Sequence, residues 1–328
     1  MFPIHLTDNA FGGAAIYNDP FNIANRWVNG SFFGVTDCST LPNPSSPPIT
    51  FQLSNKVPDY YNLSQVFLGG LGTGPVAPYP TSFAHCNATG LTTPGQTLLT
   101  ELMRRKLIID VDHMSDRATQ TAVAAAESAN YPLIAGHTGF NALAISPTSA
   151  HEANLDDAVL ARIRARGGLV SVNIRQGAVG EIAEFDAAAH GLTPVTHDCD
   201  ESVTAFAQAY RHAVTQMQGL PVGIGTDFNG LNGLPPPRFG AAACKGGSPS
   251  AGPMVSYPFT DRRGATFNRQ VSGARTFDIN FTGVAHAGML PDFIQELRTV
   301  GLSDSELQPL YESADRYLEM WEKIDARP

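Results

Sequence analysis

Apolar residues gather in short uninterrupted runs that alternate with stretches of helical period. Leu107–Val111 is one such run and ends at Asp112-His113. Leu133–Ala135 ends at Gly136-His137, Leu169–Ile174 follows, and Val222–Gly225 ends at Thr226-Asp227. Phe2-Pro3-Ile4 forms a fifth, ending at His5. Continuous apolar strands separated by helices describe a parallel sheet covered on both faces.

The intervening helices carry their own start and stop signals. Thr93-Pro94 reads as an N-cap with proline at N1, opening a helix to about Arg105. Ser115 opens an Ala-rich helix to about Ala129, and Pro132 follows it. Asp156–Arg166 stops at Gly167-Gly168, and Glu201–Gln218 stops at Gly219. Two more run over Pro291–Val300 and Ser303–Ile324. This is β-α-β-α order, an α/β fold. The strands, taken as 1–5, 107–113, 132–137, 169–174 and 222–227, are about five of the eight in a (β/α)8 TIM-type barrel. The chain, 1–328, reads as a single domain.

Two long stretches, 12–93 and 229–283, break the rhythm and are rich in Gly, Pro, Ser, Thr and Asn. In a barrel they would follow strands 4 and 8 and roof the C-terminal face, where barrel enzymes hold their active sites. Gly69–Gly74 lacks the flanking strand and helix of a phosphate loop, and Gly223–Asp227 lies within a strand. No Gly-x-Ser-x-Gly elbow is present.

Composition narrows the classes. The 328 residues are 43% hydrophobic and 16% charged, with net charge -9. That is a folded chain with enough length for a sizeable core. The acidic balance, with Met103-Arg104-Arg105-Lys106 its longest basic run, argues against nucleic acid as partner. No run of 18 apolar residues predicts a membrane span, and 1–5 lacks the pattern of a signal peptide. Cys38, Cys86, Cys199 and Cys244 contain no CxxC pair; they permit two disulfides or four free thiols. Cys86 beside His85 is expected to pair with Cys38 rather than act as a nucleophile. Sequons begin at Asn29, Asn62, Asn87 and Asn280.

His5, His113, His137 and Asp227 each follow an apolar run directly, and a barrel would converge them on one site. Imidazoles and a carboxylate suit Zn²⁺, which lowers the pKa of bound water to about 7. A neighbouring Asp can take the proton of that water and pass it to a leaving amine.

The same segments resemble the membrane (renal) dipeptidase family, peptidase family M19. The stretch from Thr93-Pro94-Gly95-Gln96 to Asp112-His113-Met114-Ser115 is similar to the family's helix and strand ending in a metal histidine. Tyr131–Thr138 resembles the segment with its second metal histidine, and Val222–Gly230 resembles the strand whose Asp sits at the metal centre. Pro3-Ile4-His5, with Asn9, is similar to a strand whose His contacts substrate.

The resemblance implies a zinc-dependent hydrolase that cleaves a dipeptide or related small amide. His113, His137 and Asp227 would serve the metal centre, Asp227 also as proton carrier. His5 would act on the scissile carbonyl, with Asn9 near the substrate. Two features depart from the family. Its opening HxD strand and bridging Glu have no counterpart in 1–328, so the chain is expected to be an N-terminally truncated member with an incomplete binuclear site. The family's substrate-clasping Arg is replaced in Ala150-His151-Glu152-Ala153-Asn154, leaving Arg175 as a substitute. The alternatives are an inactive fragment holding at most one metal, or an amidase or lactonase with another substrate. An oligomer and an exported parent chain are both compatible with the sequence.

Overall fold

The structure is a computed structural model and describes residues 1–42, 44–54, 79–228 and 233–327. Gly69–Gly74, Asn62 and Asn229 lie outside these.

The fold is mixed α/β around a parallel sheet. Ile134–Phe140, Leu169–Asn173 and Val222–Gly225 lie side by side in parallel, with Asn154–Leu155 on the outer edge. The register aligns Ile134 with Leu169, and Val170 with Val222. Ala135, Val170, Val172 and Val222 are fully buried, as a sheet covered on both faces requires.

Segments 1–5 and 107–113 differ from expectation, since neither is a regular strand. They are nonetheless hydrogen-bonded in order. The Ile134 N–H donates to Ile109 O and the Val111 N–H to Ile134 O, both at 3.0 Å. The Met1 amino group donates to Ile108 O, and the Asp110 N–H to Met1 O. Ladder spacing therefore continues for about one residue on each segment. Pro3 has no N–H to extend it, and the chain bends away at residues 3 and 4.

The helices follow the sequence signals within a few residues. Asp116–Ser128 is capped by the Ser115 hydroxyl, which accepts from the Ala118 N–H. Thr92, not Thr93, caps Thr93–Arg104, placing Pro94 in its first turn. Asp157–Ala165, Val203–Gln216 and Leu290–Thr299 are formed. The last expected helix is divided into Gln308–Tyr311 and Ser313–Asp325. Pro309 opens the first piece at a position where a missing N–H is tolerated.

The first long stretch contains structure that its composition conceals. Asp19–Asn29 is a helix capped by Asn18, and Val35–Asp37 pairs with His85–Asn87. The second holds two small hairpins, Phe259–Thr260 with Thr266–Phe267 and Gln270–Ser272 with Arg275–Phe277. Disulfides tie both stretches down: Cys38–Cys86, and Cys199–Cys244 joining the chain before Val203 to the second stretch. Asn87 and Asn280 are buried and hydrogen-bonded, which removes them as glycosylation acceptors in the folded chain.

Glu152 fastens the first stretch to the sheet. Its carboxyl accepts from the buried N–H groups of Ile16, Asn87 and Asp116 at 2.9, 2.8 and 3.1 Å. Burial pushes its pKa up to about 8 despite these three donors.

A second constraint lies where the sheet meets the histidines. The register between Ile134–Phe140 and Leu169–Asn173 shifts between Ala135 and Thr138, a bulge containing Gly136 and His137. Gly225 abuts it: a methyl there would stand 2.4 Å from Gly136 O and from the Cα of His137.

Three outcomes follow. Reduction should lower stability by about 4 kcal/mol per disulfide on loop entropy, read by urea melts with and without thiol reductant. Glu152→Ala, which orphans three buried donors, should cost at least about 3 kcal/mol in the same assay. Gly225→Ala should cost about 1–3 kcal/mol by overpacking and should perturb the NMR resonances of His137 more than those of residues remote from the bulge.

Candidate metal and active site

The three expected histidines meet, His137 from the bulge inside the strand Ile134–Phe140 rather than from its end, and His113 from the turn after the segment ending at Val111. His113 follows the strand-like segment with φ of 67°, and Asp227 follows Val222–Gly225 with φ of 47°. Left-handed backbone at non-glycine residues is a local cost that surrounding structure must hold in place. The His113 carbonyl accepts from the Ala15 N–H, and the Ser115 N–H donates to Gly13 O, so the first long stretch grips this turn from above.

The two imidazoles converge, with the Nε2 atoms of His113 and His137 2.7 Å apart. Asp112 orients one of them. Its Oδ2 accepts from the His137 N–H at 2.6 Å and stands 3.2 Å from Nδ1 of the same residue. A carboxylate behind Nδ1 puts the proton there and leaves Nε2 as the outward lone pair. His5 packs at 4.3 Å between ring centroids from His113. Phe2 lies edge-on to all three, at 5.7, 6.1 and 5.6 Å from His5, His113 and His137.

Burial pushes the His113 pKa down to about 3, with His137 and His5 adding to the effect, so its imidazole is neutral. Burial also lowers His5, helped by His137. Burial opposes charge on His137, but the Asp112 hydrogen bond and the charges of Asp112, Asp227 and Asp110 outweigh it, and its pKa rises. Asp110 is pushed up to about 8 by burial and by the neighbouring Asp112 carboxylate. It accepts from the Asp112 and Gly136 N–H groups, buttressing both strand ends.

The donors fit part of a metal site. A tetrahedral ion about 2.0–2.1 Å from two imidazole nitrogens holds them about 3.3 Å apart, so the pair would open by roughly 0.6 Å. Among the described residues, His113 Nδ1 and Asp112 Oδ1 are buried without hydrogen-bond partners, as suits a centre built around more than these side chains. Among the described residues, no group of three His, Cys, Asp or Glu has the arrangement of a metal site. Asp227 is close enough for its charge to act on His5, His137 and Tyr17, but it does not complete such a triad.

Two expected residues are committed elsewhere. Asn9 Oδ1 accepts from the N–H groups of Phe11 and Gly12, and its Nδ2 donates to Pro3 O, which makes it a turn residue. Arg175 Nε donates to Glu201 at 2.7 Å, an ion pair that anchors the chain ahead of Val203–Gln216.

Two residues at the site had no sequence signal. Phe2 stood out only as part of an apolar run. Tyr17 packs near His113 and His151, at 6.3 and 5.6 Å between centroids, and burial with the Asp227 charge raises its pKa. Both come from segments whose place depends on contacts distant in sequence.

Residues 76–237 match the family described as membrane dipeptidase (peptidase family M19). An uncharacterised protein in the pqqA 5′ region of Klebsiella pneumoniae is 30% identical over 142 residues, 43% of this chain and 45% of that protein. The chain thus spans under half the length of that curated relative. Among solved structures, the probable dipeptidase PvdM from Pseudomonas aeruginosa is 18% identical with a TM-score of 0.44, covering 73% of this chain and 56% of that one. A Rhodobacter sphaeroides metallo peptidase liganded with a phosphinate mimic of the dipeptide L-Ala-D-Ala is 18% identical with a TM-score of 0.42, covering 72% and 47%. Residues 76–237, which carry His113 and His137, are thus similar to the membrane dipeptidase family, peptidase family M19.

Proposed function

We propose that the chain carries metal-binding histidines of a metal-dependent hydrolase on an α/β fold of (β/α)8 type, one that cleaves a dipeptide or related small amide. The observation that carries this reading is the convergence of the His113 and His137 Nε2 atoms, with Asp112 behind the second. His113 and His137 would hold one zinc ion. A bound divalent ion supplies an acidified water and polarises a carbonyl oxygen.

The chain's own residues account for the remaining roles. Asp112 keeps the His137 lone pair pointed outward. Asp227 takes a proton from the attacking water and returns it to the amine as the C–N bond breaks. His5, at the exposed edge of the cluster, hydrogen-bonds the carbonyl oxygen as its charge develops. Phe2 and Tyr17 wall the site with aromatic surface and limit access of bulk water.

A second reading is favoured by one observation, the lack of a third donor of metal-site geometry among the described residues. On that reading the chain alone holds at most one ion, although the family's centre is binuclear, and it does not turn over substrate. An amidase or lactonase would use the same residues on a different acyl group.

Zinc loading followed by elemental analysis tests the metal assignment these readings share, and turnover separates them. One ion per chain is expected, lost in the His113→Ala/His137→Ala double variant. Two ions per chain would overturn the half-site account, and one ion unaffected by the double variant would overturn the ligand assignment. A dipeptide panel should show no turnover by the chain alone; turnover abolished by Asp227→Asn would establish the complete hydrolase instead. Asp112→Asn should weaken zinc binding by about 10–100-fold with the fold intact, checked by competition with a chelating dye.

A further inference from the structure

Away from the histidines, the hairpin of Phe259–Thr260 with Thr266–Phe267 and the C-terminal helices border a cavity of about 470 Å³. That is within the range of small-molecule sites. None of its lining residues belongs to the histidine cluster, and no role in the proposed hydrolysis uses it.

Its walls are chemically divided. Phe259 and Phe267 form one side, their rings stacked at 5.3 Å and 10°. Ile294 adds apolar surface beside them. Above this floor the turn 261–265 carries two adjacent arginines. Asp261 rigidifies that turn by accepting from the N–H groups of Arg263 and Ala265 at 2.9 and 2.8 Å. Arg262 lies over the Tyr311 ring at 4.5 Å and donates to Gln308 at 3.2 Å, which holds its guanidinium at the rim. Glu312 and Asp315 line the cavity from the helical side, and the Gln308 amide that receives Arg262 also donates to the Glu312 carboxylate at 2.5 Å, bridging the two at the rim.

The balance of commitments is the informative feature. Arg298, also at the wall, is neutralised by Asp304 at 2.8 Å. Asp261 is occupied by its own turn. Among the described residues no ion pair joins Arg262 or Arg263 to Glu312 or Asp315, although all four border one cavity. Opposite charges held apart over an aromatic floor are complementary to a ligand that brings both charges and an apolar group. A lone anion would meet the two carboxylates, and a lone cation the two arginines.

We propose that this cavity binds a small zwitterion with an apolar side chain, a free amino acid or short peptide. The carboxylate is received by Arg262 and Arg263, the ammonium by Glu312 and Asp315, and the side chain lies on Phe259 and Phe267. Bidentate arginine–carboxylate contacts supply orientation, and ring contacts supply apolar burial.

The test is calorimetric titration of the full chain with L-phenylalanine, N-acetyl-L-phenylalanine and L-phenylalanine amide. L-Phenylalanine should saturate one site per chain. Each capped analogue should bind about tenfold or more weakly, equivalent to about 1.4 kcal/mol. Arg263→Gln and Asp315→Asn, both exposed substitutions, should each weaken L-phenylalanine by a similar factor, while the His113→Ala/His137→Ala variant should bind it unchanged. NMR shifts of the Phe267 and Tyr311 rings in the unaltered chain give a readout that needs no variant. No saturable binding at millimolar ligand, equal binding of the capped analogues, or loss of binding in the histidine variant would each overturn the proposal. Because binding is read without turnover, its failure leaves the hydrolase reading untouched, and failure of that reading leaves this one intact.

Discussion

The Asp112 carboxylate is the interaction on which the site depends. One oxygen holds both the backbone and the imidazole of His137, across the junction between the segment ending at Val111 and the strand beginning at Ile134. That grip fixes the bulge at Gly136-His137, turns the His137 Nε2 outward, and brings it to His113 one residue along the chain from Asp112. A buried carboxylate is costly unless it is paired and hydrogen-bonded. Here the pairing with His137 offsets the cost and also sets the tautomer, so stability and site chemistry share one contact.

Packing around this contact leaves little freedom. Gly225 approaches the bulge so closely that a side chain cannot be accommodated without movement. Asp110 reaches the N–H groups of Asp112 and Gly136 from below. From above, the first long stretch is pinned to the His113 turn by backbone bonds and to the sheet by Glu152. The left-handed backbone at His113 is held by this surrounding structure, a pattern common at functional sites, and Asp227 shares that conformation. Strain of this kind points to residues retained for what they present rather than for local stability.

Much of this was legible in the sequence, for definite reasons. His113, His137 and Asp227 stand out because each ends an apolar run, and the end of a buried strand is where a polar side chain can reach solvent and ligand. Helix starts at Ser115 and near Thr93 follow from side-chain capping, which is local. The helix Asp19–Asn29 was hidden because its surroundings are rich in turn formers, although Asn18 and Pro20 are its start signal. The strands expected at 1–5 and 107–113 have the right side chains but too few backbone partners to form regular ladders. The resemblance singles out Asn9, and side-chain chemistry singles out Arg175, whereas their hydrogen-bond partners, Phe11, Gly12 and Glu201, are seen only in three dimensions.

The central claim is that His113 and His137 together present one metal-binding edge, organised by Asp112. The most direct measurement is ¹⁵N NMR of the imidazole nitrogens during zinc titration of the chain. The account predicts that Nε2 of both residues shifts together and saturates at one equivalent, while Nδ1 of His137 stays protonated against Asp112. Shifts at only one histidine, or saturation with neither affected, would contradict it.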